Sequence, residues 1–206
     1  MSENETTAWF DTESLPEAML NSGFRPLEKS DHFLALKKSM DMSDGTKLLD
    51  LGCGVAEAAK VFESHDYTGA DLPHIISGAA QVKNPNTNFV NFNANSDSYK
   101  FMKNYDIILM NSFLSELPQW YRCLSNVLMH AKKYVIIHRQ EVTQNQSYLQ
   151  EYKTYAGLKT IKTVINYSDL SKLFYFNEFE IMLELNSFPN NEKQKTFLLR
   201  KSNHDQ

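Results

Sequence analysis

Asp50, Gly52, Gly54 and Asp71 are of the types, and at the spacing, that suit a ligand carrying a ribose. The two glycines close the run Leu48-Leu49-Asp50-Leu51-Gly52-Cys53-Gly54-Val55-Ala56. Glycine permits positive φ and lets the backbone approach a ligand with no Cβ in the way. A helix starting just after them would offer free N–H groups to an electronegative group. Asp71 follows Asp50 by 21 positions. A carboxylate there can accept hydrogen bonds from both ribose hydroxyls, as in the dinucleotide-binding fingerprint. The bland alternative is a tight turn and a helix cap. A dinucleotide dehydrogenase would need a third glycine three residues after Gly54, and position 57 is Glu57.

A second group could move a proton or hold a substrate. His138-Arg139-Gln140-Glu141 follows the apolar run Tyr134-Val135-Ile136-Ile137. A histidine with an ordinary pKa of about 6.5 suits a general base. Arg139 can hold an anionic acceptor, and Glu141 can orient the histidine or act as base itself. Glu116, two residues before Pro118, is another carboxylate candidate. Tyr152 and Tyr155 lie in the tyrosine-rich stretch 148–158 and can stack on, and hydrogen-bond to, a ring-shaped substrate. The bland readings are a strand-end histidine, a surface Arg139–Glu141 pair and a solvated Glu116. His32 and Trp9 belong to an N-terminal lid or to ordinary packing.

These residues need a scaffold. Helical patterns cover 15–21 and about 27–40, with Phe33, Leu34, Lys37 and Met40 at helical spacing. Lys47–Leu51 reads as a buried parallel strand. A helix over 55–64, a strand over 67–70 and a helix from Pro73 to about Val82 follow. Strands are expected at 88–92, 105–110 and 133–138, with a helix from Pro118 to about Ala131 between the last two. Residues 139–166 show the least regular pattern. A helix over 170–175 then precedes strands at 179–185 and 195–200, joined by a Pro189-Asn190-Asn191 turn. Alternating strand and helix specify an α/β fold. The expected architecture is a doubly wound, Rossmann-like, seven-stranded, mostly parallel sheet with an antiparallel C-terminal hairpin strand. Such sheets bind ligands at the carboxyl ends of their strands, near the topological switch point.

Leu49-Asp50-Leu51-Gly52-Cys53-Gly54, together with Asp71, resembles the class I S-adenosylmethionine-dependent methyltransferases. Phe89-Val90-Asn91-Phe92-Asn93-Ala94 stands at the family's third motif, and Tyr105 to Ser112 resembles its fourth strand and exit. The likeness covers about residues 30–140, and 170–200 by strand pattern alone. It implies S-adenosyl-L-methionine as methyl donor. It implies that Asp50 and the Gly52-Cys53-Gly54 backbone hold the methionine moiety and that Asp71 and Leu72 hold the ribose. Asn93 and Ala94 would then flank adenine, and Asn111 and Ser112 the donor methyl. Ala56 replaces a glycine often seen in the first motif, and Asn93 replaces an acid in the third. The His138-Arg139 pair is loosely similar to methyltransferases associated with bacterial surface-polysaccharide assembly.

The acceptor is argued mostly by exclusion. Methylation of adenine or glutamine nitrogen uses an Asn/Asp-Pro-Pro-aromatic motif after strand four, where this chain has Asn111-Ser112-Phe113-Leu114. No cysteine follows strand four or five as nucleophilic pyrimidine methylation requires. The net charge of −4, without a basic cluster, argues against a nucleic-acid partner. The leading expectation is O-methylation of a small molecule or saccharide hydroxyl, with His138, Glu141 or Glu116 as base. The alternatives are a protein or RNA methyltransferase and a non-catalytic donor-binding scaffold. Cys53 and Cys123 are two thiols in apolar segments, which excludes a disulfide framework and a four-cysteine zinc site. Scattered histidines predict no metal. No run approaches the ~20 apolar residues of a membrane span, and the polar start Met1-Ser2-Glu3-Asn4 is unlike a signal peptide, so the expected location is cytoplasmic. The 206 residues divide into N-terminal helices or lid (1–44), a donor-binding core (45–140), and a recognition insert with the C-terminal hairpin (141–206) of one domain. Oligomeric state is left open.

Overall fold

The computed structural model describes Trp9 and residues 15–22, 25–154 and 157–202. Five strands build the parallel part of the sheet: β1 (Lys47–Leu51), β2 (Asp66–Asp71), β3 (Asn88–Asn91), β4 (Ile107–Asn111) and β5 (Tyr134–Thr143). Their order is β3-β2-β1-β4-β5. Two C-terminal strands, β8 (Phe179–Phe188) and β9 (Asn191–Lys201), pair antiparallel, and β9 pairs antiparallel with β5. These seven strands match the expected doubly wound pattern, but among the described residues the sheet has nine strands, not the seven expected. The chain runs from β1 outward to β3 and then returns to β4 on the other side of β1. That reversal leaves a crevice at the carboxyl ends of β1 and β4.

Side chains alternate across this sheet, as the period of two requires. Leu49, Leu51, Ile108, Met110, Val135 and Ile137 face one layer, with Leu124 and Val127 of α6 (Trp120–His130). Phe174 of α7 (Tyr167–Phe176) closes the same layer. Leu48, Ile107, Leu109, Ile136 and Leu198 face the other, with Leu36 and Met40 of α2 (Phe33–Asp41) and Ala58 of α3 (Glu57–Val61). Burial on both faces explains why β1 and β4 read as nearly unbroken apolar runs. A third cluster joins Leu15 and Met19 of α1 (Leu15–Asn21) to Val55, Ile75 and Ala79. Ile75 belongs to a helical stretch made of α4 (Pro73–Ile75), a π segment (Ile76–Ala80) and α5 (Gln81–Lys83). Among the described residues, no helix is long and apolar enough to cross a membrane.

One region corrects the sequence reading. Residues 139–166 are regular: β5 runs on to Thr143, and a hairpin of β6 (Tyr148–Lys153) and β7 (Lys159–Asn166) follows. β7 pairs with the end of β5 at Val142–Ile165, and β6 forms an edge. β6 has almost no buried side chains, so it shows no apolar alternation. β7 carries the legible signal, Thr160, Ile161, Thr163, Val164 and Ile165, all β-branched.

Candidate active site

β1 ends in the glycine turn. Gly52 (φ 75°), Gly54 (φ 54°) and Ala56 (φ 55°) are all left-handed, so the chain reverses within a few residues. Gly52 and Cys53 both donate their N–H to the Ala70 carbonyl at the end of β2 (2.8 and 3.2 Å). A Cβ on Gly52 would lie 2.2 Å from Phe113 Cδ2, whereas a Cβ on Gly54 would meet only Met19 Cε, at 3.9 Å. Gly52 is demanded by packing and φ; Gly54 leaves open space. Ala56 holds a conformation that glycine adopts at lower cost, which accounts for a glycine often standing at this point in the motif.

That open space is a cavity of about 420 Å³, within the usual range for a small-molecule site. Asp50, Gly52, Cys53, Gly54, Asp71, Leu72, Ala94, Asn111 and Ser112 all line it. Asp50 is buried; Tyr67 Oη donates to its Oδ2 (2.7 Å), and its Oδ1 has no partner. Burial pushes its pKa up to about 7, against the Tyr67 hydrogen bond and with help from the charge of Asp71. The Asp71 carboxylate is anchored by two backbone donors, Gly54 N to Oδ2 and Leu72 N to Oδ1 (both 2.8 Å). Burial raises its pKa as well. Among the described residues neither acid has an ion-pair partner, so both keep acceptor capacity toward the cavity. Cys53 is also buried, and desolvation holds its thiol protonated.

Asn93 lies elsewhere. It is outside the cavity wall, with Oδ1 accepting from Asn95 N (2.9 Å) and its own N donating to Asp97 Oδ2 (2.7 Å). It shapes its loop, and its neighbours Phe92 and Ala94 face the cavity in its place.

The same cavity is lined by His32, Glu116, Arg139 and Tyr152. Glu116 Oε2 accepts from Tyr152 Oη (2.5 Å) and from Trp9 Nε1 (2.7 Å). Burial raises its pKa, and the Tyr152 and Trp9 bonds oppose the rise. Arg139 sits on a β-bulge, where the β5–β9 register shifts between Ile137 and Gln140, with φ 59°. Its N donates to Ser187 Oγ (3.1 Å), and its Nε donates to Asn111 Oδ1 (2.9 Å). The bulge re-aims this side chain toward the crevice, a recurrent use of bulges near sites.

Two of the proposed bases are placed differently from the sequence reading. His138 is fully buried and does not line the cavity. Its Nε2 lies 3.0 Å from Nδ1 of His32, which does. Its Nδ1 lies 2.7 Å from Thr196 Oγ1, which in turn lies 2.8 Å from Ser187 Oγ. Burial first, and then the Arg139 charge, lowers His32 to about 4 and His138 well below its ordinary value, so both rings are neutral at pH 7. Glu141 also faces away. It pairs with Lys162 (2.5 Å) and lines a separate cavity beside Tyr148 and Tyr167. Alternation along β5 would put Glu141 and Arg139 on one face, but Arg139 sits on the bulge, and the two line different cavities. Tyr155 lies outside the described residues. His32 is the residue that sequence reasoning undervalued. Its contact with His138 spans 106 positions, and nothing local announces it.

Known proteins share the family and the fold. The sequence model of the methyltransferase domain family matches residues 24–181. No curated protein sequence matches the chain. Several solved structures share the fold at low identity. An S-adenosylmethionine-bound amino pentose methyltransferase from Micromonospora echinaspora, involved in calicheamicin biosynthesis, has a TM-score of 0.64 at 11% identity, covering 90% of this chain and 96% of its own. An S-adenosylmethionine-dependent methyltransferase from Mesorhizobium loti has a TM-score of 0.66 at 12% identity, over 85% and 100%. Human N-acetylserotonin methyltransferase has a TM-score of 0.68 at 13% identity, over 98% of this chain and 60% of its own.

Proposed function

The chain belongs to the class I S-adenosylmethionine-dependent methyltransferases, and from that premise we propose that it methylates a hydroxyl of a small molecule or saccharide, with Glu116 as general base. The observation that carries this reading is one cavity lined both by Asp50 and Asp71 and by Glu116, His32, Arg139 and Tyr152.

The donor side fits its ligand. The unpartnered Asp50 Oδ1 is an acceptor waiting for a cation, and the donor carries both an ammonium and a sulfonium. Asp71, held by two N–H groups, keeps lone pairs for a ribose diol. Phe92, Ala94 and Leu72 offer apolar surface to a base. S-adenosylmethionine supplies an electrophilic methyl group when bound. The rest of the chemistry belongs to the acceptor side. Glu116 is sequestered, so its raised pKa suits removal of a hydroxyl proton near neutral pH. Tyr152 and Trp9 hold the carboxylate by one oxygen, and among the described residues the other oxygen has no hydrogen bond. Neutral His32, backed by His138, can align the acceptor hydroxyl without adding charge. A saccharide acceptor draws support from an amino pentose methyltransferase of the same fold.

The test is release of S-adenosylhomocysteine from the protein with a panel of sugars and phenols. Glu116→Gln should lower kcat by about 10²–10⁴-fold with the affinity for S-adenosylhomocysteine unchanged. A Glu116→Gln protein that turns over at the wild-type rate would overturn the assignment of the base. Absence of any calorimetric signal with S-adenosylmethionine would overturn the whole reading.

A further inference from the structure

We infer that Arg139 is an anion-binding subsite, so that the acceptor carries a carboxylate or phosphate group beside the hydroxyl that is methylated. The inference deepens the proposed function and rests on it for the word acceptor; the anion site itself stands on Arg139 alone.

Three observations carry it. The guanidinium is set into the cavity wall, and its Nε is committed to Asn111 Oδ1 (2.9 Å). That bond fixes the plane of the fork and leaves the two terminal nitrogens as a pair of parallel donors. Such a pair matches the two oxygens of a carboxylate or phosphate. Second, among the described residues no carboxylate lies within 4 Å of Arg139, although this cation is partly buried in the cavity wall. A charge drawn partly out of water without a counter-charge gains from a ligand that supplies one. Glu116 influences Arg139 through space but stays outside ion-pair range, engaged by Tyr152 and Trp9. Third, the residue is held in a conformation that costs free energy. Its φ is 59° on a bulge, secured by Ser187 Oγ through its N–H. Strain of this kind persists where the surroundings impose it, and here they aim one side chain at the crevice.

The consequence reaches His32. The Arg139 charge helps depress the pKa of that ring, after burial. An anion seated on Arg139 would cancel part of this field. The ring of His32 would then report occupancy of the subsite, although it need not touch the anion. The other groups facing that ring are His138 and the edge of Phe188.

The probes are acetate and inorganic phosphate, titrated into the full-length protein saturated with S-adenosylhomocysteine. The readouts are the Arg139 Nε–H and His32 ring signals in NMR, with chloride at equal ionic strength as the reference. A saturable shift of both signals with acetate, phosphate or both, and none with chloride, is the expected result. Whichever ion saturates at lower concentration distinguishes a carboxylate acceptor from a phosphorylated one. Arg139→Gln should abolish the His32 response while S-adenosylhomocysteine affinity is retained, which also shows that the variant is folded. Arg139→Lys, which keeps the charge and loses the fork, should weaken it. No saturable shift in the wild type, or an undiminished His32 response in Arg139→Gln, would overturn the inference. Loss of S-adenosylhomocysteine binding in the wild type would instead strike the proposed function, because the anion titration can be read without that ligand.

Discussion

At the scale of single residues, Asp50 is where charge and function conflict most openly. Its carboxyl is buried with one unpartnered oxygen, and its pKa stands at about 7. This is above the ordinary carboxylate value, so the folded, donor-free protein binds a proton that the unfolded chain has already released. The stabilising contribution of that proton is fully present below about pH 4 and is lost as pH rises through about 7. A cationic donor favours the ionised form and reverses the balance. Affinity for S-adenosylmethionine should therefore rise between about pH 6 and about pH 8, with proton release visible in calorimetry across buffers of different ionisation enthalpy. Asp50→Asn should weaken donor binding by about 10- to 100-fold and flatten that pH dependence. It should also raise the melting temperature of the donor-free protein at pH 8, since no charge remains to bury. An unchanged affinity in Asp50→Asn would remove Asp50 from the donor site. Asp50 was legible in the sequence because its neighbours Gly52 and Gly54 are adjacent in the chain. His32 was not, because its meaning comes from His138, Thr196 and Ser187, which fold up beside it from distant strands.

At the scale of elements, two glycines of one turn serve separable purposes. Gly52 packs against Phe113, so Gly52→Ala forces a Cβ into a ring and adds left-handed strain. We expect a loss of about 2–4 kcal/mol in urea unfolding, by overpacking and backbone cost together. Gly54 has the same sign of φ but open space before it. Gly54→Ala should cost only about 1 kcal/mol of stability. Its new methyl group projects into the open space of the cavity, so S-adenosylhomocysteine affinity should fall disproportionately, by about tenfold or more. Equal stability losses for the two variants would contradict this division. The β1 turn was readable because a buried strand and a glycine pair are both local signals. The β6–β7 hairpin was not, since β6 is exposed on nearly all its length and offers no apolar period. Yet β6 supplies Tyr152, so an element nearly invisible to pattern reasoning carries a side chain that bonds the Glu116 carboxylate in the cavity wall.

At the scale of the whole molecule, the surroundings of Glu116 are assembled from segments remote in sequence. Trp9, Glu116 and Tyr152 meet at one carboxylate oxygen, and the Trp9 carbonyl accepts from His74 Nε2 (3.0 Å) beyond the second strand. Trp9 and the β6–β7 hairpin thus meet at the same carboxylate. This arrangement ties the protonation of Glu116 to these two donors. Burial raises its pKa, while the bonds from Tyr152 and Trp9 lower it. Removing either donor should let the pKa climb. If Glu116 is the base, the acidic limb of the pH–rate profile must then move to higher pH, because a larger fraction of the carboxyl stays protonated. Tyr152→Phe and Trp9→Phe should each show that displacement, with a rate loss of about 2- to 10-fold near neutral pH from the missing hydrogen bond. The rate should recover as pH is raised, which distinguishes a displaced base from a damaged fold. S-adenosylhomocysteine affinity should hold steady in both, since neither side chain hydrogen-bonds Asp50 or Asp71. A rate loss that is uniform across pH would mean that the two aromatic residues only cover the cavity, and the proton would then have to leave by another group.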